Sequence, residues 1–261
     1  MDITILQAVL IGLWTAFCFS GMLLGIYTNR CIILSFGVGV ILGDIPTALS
    51  MGAISELAYM GFGVGAGGTV PPNPIGPGIF GTLMAITSKG AITPAAALAL
   101  STPIAVAIQF VQTFAYTIRA GAPEGAAKAL ASHNMNRFKF ESNATIWIFA
   151  IIGFSLGCAG ALSMESVLHL IDYIPPVLLN GLSVAGKMLP AIGFAMILSV
   201  MAKKELIPFI LLGYVCAAYL GLPVIGIAIV GTIFALIEFF RTPATAVAGV
   251  NSKGDEKDDW I

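Results

Sequence analysis

The chain has 261 residues, 58% of them hydrophobic and only 10% charged, with a formal net charge of −1 and a mean hydropathy of +0.97. Soluble domains carry about 25% charged residues, so this composition excludes a soluble globular surface and fits one that faces lipid. The near-neutral charge excludes a basic nucleic-acid footprint.

Taken in chain order, the first apolar segment covers 3–27. It holds Gln7, a polar amide with both donor and acceptor. Asp2 precedes it and no basic residue occurs before Arg30, so it reads as a retained segment and not a cleaved signal peptide. Segments 31–43 and 46–62 follow. The first is short for a crossing, since roughly 20 apolar residues are needed. Gly37-Val38-Gly39-Val40-Ile41-Leu42-Gly43 lacks the strand–turn–helix context of a nucleotide loop and reads as close helix packing through small residues. Asp44 stands before Pro46, either as a helix cap or as a site carboxylate. Glu56 lies deeper in the next helix. It is either paired with a polar neighbour or it accepts hydroxyl groups of a ligand such as a sugar. A carboxylate inside an apolar segment is costly, hence a functional candidate.

A long Gly/Pro break runs from Gly61 to Pro74 and ends in Pro71-Pro72-Asn73-Pro74. Proline lacks the backbone N–H that a helix needs. Irregular backbone at membrane depth survives only inside protein or along a wet cavity. Asn73 is therefore a site candidate, with turn closure as its alternative. Segment 75–88 is again short, and reads as re-entrant or internal to the bundle. Segment 92–118 carries Gln109 and Gln112, candidates for inter-helix hydrogen bonds.

The polar stretch 119–141 contains Arg119, Lys128, Arg137 and Lys139, and reads as a cytoplasmic loop. Segments 143–163, 166–179, 182–202, 206–220 and 222–240 follow. Lys187 is a cation in otherwise uncharged surroundings; it pairs with a buried carboxylate, donates to a substrate or snorkels to an interface. His133 and His169 lack metal-ligand partners at useful spacing. Cys18, Cys31, Cys158 and Cys216 stand singly, without metal or redox spacing. Asp44 and Asp172 match no intramembrane aspartyl protease motif. No catalytic set, cofactor or metal is indicated. The expected fold class is an all-α, polytopic membrane protein with broken or re-entrant helices. Residues 1–240 form one membrane-embedded unit and 241–261 a charged, mobile tail.

Particular residues carry a resemblance. They are Met1-Asp2-Ile3-Thr4-Ile5-Leu6-Gln7, Leu42-Gly43-Asp44 with Thr47, Gly52 to Glu56, Pro71-Pro72-Asn73, and Asn180-Gly181-Leu182-Ser183-Val184-Ala185-Gly186. In order and spacing, over nearly the whole chain, they resemble the IIC membrane subunit of mannose-type sugar phosphotransferase systems. Pro71-Pro72-Asn73 and the end Asp258-Asp259-Trp260-Ile261 are most similar to the N-acetylgalactosamine branch. The mannose branch tends to have an aspartate at the place of Asn73, and the Asn180–Gly186 motif usually continues with glycine where this chain has Lys187.

The resemblance implies sugar import in the bacterial cytoplasmic membrane, coupled to phosphorylation by partners. It implies a IID membrane subunit, with phosphate passing through IIA and IIB, whose histidines are the phosphorylated ones. It also implies a trimer of IIC–IID pairs with an elevator-like motion. The substrate candidates are then Gln7, Asp44, Glu56, Asn73 and Lys187, with a hexosamine as substrate. The alternatives are an ion- or proton-coupled secondary transporter and a non-transporting scaffold.

Overall fold

The computed structural model describes residues 3–60, 72–202 and 206–241. Asp2, most of the Gly/Pro break and the expected tail after Arg241 lie outside the described residues. The described elements are all helical. Four of the helices are long and apolar enough to cross a membrane, and shorter apolar helices accompany them.

Helix starts follow from local chemistry. Helix α1 (Ile5–Gly21) opens on a reciprocal box: Thr4 accepts from the Gln7 N–H, and the Gln7 carboxamide oxygen accepts from the Thr4 N–H. Helix α2 (Cys31–Leu42) ends at Gly43, whose φ of 80° is the left-handed conformation that glycine adopts freely. Helix α3 (Ile45–Tyr59) starts at Asp44, whose carboxylate accepts from the Thr47 N–H at 3.2 Å. Helix α5 (Pro94–Ile118) is capped by Thr93 and α7 (Met135–Leu162) by Asn134.

Between α3 and α5 the chain makes a π-helical turn, Gly76–Gly81, that runs into α4 (Thr82–Thr87). Its 12 helical residues, Gly76–Thr87, rise about 18 Å at 1.5 Å each, against about 30 Å of hydrocarbon. All residues from Ile75 to Thr87 except Phe80 are buried. The segment is therefore internal to the bundle, as its length predicts.

The unit Met1–Val200 is held by close backbone approach. Between α1 and α7, a Cβ on Gly157 would lie 2.9 Å from the Gly12 Cα, and one on Gly153 would lie 3.0 Å from the Ala16 Cα. Phe19, Phe149 and Tyr116 form a chain of ring contacts linking α1, α7 and α5. Small residues let backbones meet where lipid supplies no hydrophobic drive between helices. The glycines of α2 do the same: Gly37 faces the Trp14 ring and Gly39 faces Ala48.

Two features differ from the sequence expectation. The polar stretch 119–141 is a short helix, α6 (Ala122–Ala131), followed by the first turns of α7, because Asn134 caps a helix that starts before the apolar run. Asn180-Gly181 lies inside α9 (Pro176–Met201), and the break comes earlier, after α8 (Met164–Asp172). Pro175-Pro176 sets it: the residue before a proline is pushed out of helical geometry, whereas an interior glycine costs only about 1 kcal/mol. The chain forms two compact units, Met1–Val200 and Met201–Ile261. The second contains α10 (Ile207–Ala218) and α11 (Val224–Arg241), which meet through Phe209 and Phe234.

Candidate functional site

Arg30 is the residue before α2, and no side chain of the α2 start caps its backbone. Glu56, near the end of α3, supplies the missing acceptor. One carboxylate oxygen forms an ion pair with the Arg30 guanidinium, and the other accepts the Ile32 N–H at 3.4 Å. A carboxylate is favoured there because the first N–H groups of a helix are unpaired and carry partial positive charge. The Glu56 side chain is 19% exposed and that of Arg30 51%, so the pair faces an opening.

That opening is a cleft of about 110 Å³ lined by Asn29, Arg30, Cys31, Glu56, Tyr59, Pro72 and Pro74. It lies where the α1–α2 connection, the end of α3 and the end of the Gly/Pro break converge. Four of the described grooves are larger: one of about 490 Å³ at the Arg119–Glu141 ion pair and one of about 250 Å³ beside Thr87 and Glu165 are partly polar but lie away from the Gly/Pro break, and the other two are less suited to a polyhydroxyl ligand. One of about 460 Å³ lies within the second unit and is almost wholly apolar. One of about 250 Å³ is lined by Pro72, Val106, Gln109, Phe110 and Thr113, and is apolar too.

Asn73 anchors the break but does not line the cleft. It is fully buried. Its backbone N–H donates to the Ala105 carbonyl at 3.1 Å, its amide N–H2 donates to the Gln112 carboxamide oxygen, and its own side-chain oxygen accepts the Ile75 N–H at 3.0 Å. Beside it, a Cβ on Gly76 would lie 2.6 Å from the Ala105 Cα, so only glycine lets the break sit this tightly on α5. The carboxamide of Asn73 is thus committed within the protein, and it sets the position of Pro72 and Pro74.

The remaining candidates lie apart from this cleft. Gln7 belongs to the α1 capping box, and Asp44 caps α3 at the opposite end of the α2–α3 pair. Lys187 is exposed on α9, one residue beyond Gly186, which packs against the Ala95 backbone. Among the described residues no group of His, Cys, Asp and Glu has the geometry to hold a metal ion. Sequence reasoning did not single out Arg30, Asn29 or Tyr59. The available signal for Arg30 was a lone cation at the start of an apolar helix without a capping residue.

A family model described as the sorbose-specific IIC component of the phosphotransferase system matches residues 5–237. The chain is similar to the mannose-specific EIIC component of Escherichia coli (strain K12), with 28% identity over 204 residues, 77% of this chain and 76% of that protein. It is also similar to N-acetylgalactosamine permease IIC component 1 of the same strain, with 32% identity over 180 residues, 67% and 65% of the two chains. A solved structure described as a membrane protein superposes with a TM-score of 0.82 at 27% identity, covering 94% of this chain and 99% of that one. A chain of the cryoEM complex of the mannose transporter ManYZ with microcin E492 gives a TM-score of 0.58 at 28% identity, covering 92% and 96%. The chain belongs to the sorbose-specific IIC component family, the sugar-transporting membrane subunits of the phosphotransferase system, and is an integral protein of the bacterial cytoplasmic membrane.

Proposed function

We propose that this subunit imports a hexosamine, with N-acetylgalactosamine the leading substrate, and that the cleft at Arg30 and Glu56 forms part of its sugar site. The observation that carries the reading is the ion pair at the mouth of a cleft beside the Gly/Pro break. An arginine and a carboxylate present donors and acceptors to the hydroxyl groups of a sugar, and charge strengthens each bond. Similarity to N-acetylgalactosamine permease IIC component 1, at 32% identity, supports the amino sugar.

A cleft of about 110 Å³ is smaller than the roughly 300 Å³ at which whole small-molecule sites begin. The rest of the site then comes from other surfaces, and a IID membrane subunit is the partner we infer. The similarity to a chain of the ManYZ complex supports this. In this reading the cytoplasmic IIB subunit, charged by IIA, phosphorylates the sugar on arrival, and the present chain carries no phosphorylated residue. A trimer of IIC–IID pairs in lipid and an elevator-like displacement complete the proposal. Asn73 acts by positioning the break, Asp44 and Gln7 by ordering the helices that frame the site, and Lys187 by facing a partner or headgroup.

The test is binding across a sugar panel with the co-purified IIC–IID complex. Preference for N-acetylgalactosamine over galactosamine, mannose and sorbose supports the reading. Preference for mannose or sorbose reassigns the substrate.

A further inference from the structure

Asn29 has a feature that neither the ion pair nor the fold uses. Its amide nitrogen donates to the Met22 sulfur at 3.4 Å, while its side-chain oxygen is buried and has no hydrogen-bond partner among the described residues. Leaving a buried acceptor unpaired is costly, because it has lost water and gained nothing. The residue lines the same cleft as Arg30 and Glu56.

Its neighbours on both sides are fixed. The Thr28 hydroxyl donates to the Cys18 carbonyl at 2.9 Å, and Arg30 is held by Glu56. Asn29 is therefore set in place before any ligand arrives, which lowers the entropy lost on binding. Each Glu56 oxygen already has one protein partner, whereas the Asn29 oxygen has none among the described residues.

We propose that Asn29 is a specificity-determining residue that accepts a hydrogen bond from one hydroxyl or N–H of the bound sugar. This rests on the sugar-site reading above. A carboxamide oxygen at this place selects for a donor on one face of the sugar, and an analogue lacking that donor leaves the acceptor buried and unpaired.

The experiment uses the full-length complex with IID and measures dissociation constants for N-acetylgalactosamine, galactosamine and a set of singly deoxygenated analogues. Asn29→Leu keeps the approximate volume and removes the acceptor. Asn29→Asp keeps the acceptor and removes the donor to Met22. Asn29→Leu should weaken the parent sugar about tenfold, the usual scale for one unpaired buried group. One analogue should show the same loss with wild type and no further loss with Asn29→Leu. Asn29→Asp should stay within about threefold of wild type on the parent sugar. Wild-type affinity in Asn29→Leu overturns the proposal, as does an equal loss on every analogue in both variants, which marks a structural role. If Asn29→Leu fails to assemble with IID, Asn29→Asp decides alone: retained discrimination among the analogues supports the proposal, and its loss overturns it. A wild-type complex that binds no sugar overturns the sugar-site reading itself, and the Asn29 assignment with it.

Discussion

Arg30, at the start of α2, is ion-paired with Glu56, near the end of α3, and this pair closes the end of the helix pair opposite the Gly43–Asp44 turn. The carboxylate thereby caps a helix other than its own, through the Ile32 N–H. A structural and a ligand-binding role make different demands on it, and the two separate by measurement.

Glu56→Gln keeps the size and the acceptor but removes the charge. A hydrogen bond to a charged group is worth about 1.5–3 kcal/mol, so sugar affinity should fall tenfold or more. Half-exposed pairs contribute only about 0–1 kcal/mol to stability, so the thermal unfolding midpoint of the complex should move little. Titration calorimetry beside a thermal melt checks both. A large melting shift with unchanged affinity would leave Glu56 as a helix cap alone.

Asn73 and Gln112 are 39 residues apart in sequence and bonded through buried amides. Asn73→Leu leaves the Gln112 oxygen and the Ile75 N–H without partners, at about 1–3 kcal/mol for each buried group. The complex should be clearly less heat-stable, and adding Gln112→Leu should recover part of the loss, since removing both partners is close to neutral. Because Asn73 sets the break from inside the protein, any loss of binding should be equal across acetylated and unacetylated sugars. A loss confined to N-acetyl sugars would instead place its amide on the ligand.

Gly76 and Gly231 predict opposite responses to one added methyl group. At Gly76 the new carbon would lie 2.6 Å from the Ala105 Cα and 2.7 Å from its nitrogen, backbone that cannot swing aside. Overpacking of this kind costs about 1–3 kcal/mol or more. Nothing lies within 4 Å at Gly231, where alanine also favours the helix by about 0.5–1 kcal/mol. Gly76→Ala should lower the yield of assembled complex and Gly231→Ala should not, as read by size-exclusion chromatography in detergent.

Much of this architecture is local, and so was legible in the sequence. Asp44 caps α3 through a bond spanning three residues, as its place before Pro46 allows, and the short span of Gly76–Thr87 follows from its length. The packing role of Gly37 and Gly39 follows from residue size. What the sequence withheld is long-range. Glu56 was left open between a polar partner and a ligand because its partners, Arg30 and the Ile32 N–H, become neighbours only when α2 and α3 fold back on each other. Asn73 was left open between a site amide and a turn residue, because nothing local reveals that it bonds to Gln112 and Ala105 of α5. Helix α7 began earlier than its apolar run because its first turns are ordered by the Asn134 cap and by Arg119, which donates to the Glu141 carboxylate at 3.0 Å and to its carbonyl at 2.9 Å.

The same polar region gives a topological prediction. Helix α7 has 28 residues and so is about 42 Å long, against about 30 Å of hydrocarbon, which leaves its charged first turns beyond the bilayer core. Together with α6 they carry Lys128, Arg137 and Lys139, and short basic segments are retained on the cytoplasmic side. Ser132 lies at the end of α6, where His133 turns the chain with a φ of 56°. In a background with the four native cysteines replaced, Ser132→Cys should resist a membrane-impermeant thiol reagent in intact cells and react once the cells are opened. Prompt labelling of intact cells would invert the orientation, and would set α6 on the side from which sugar enters.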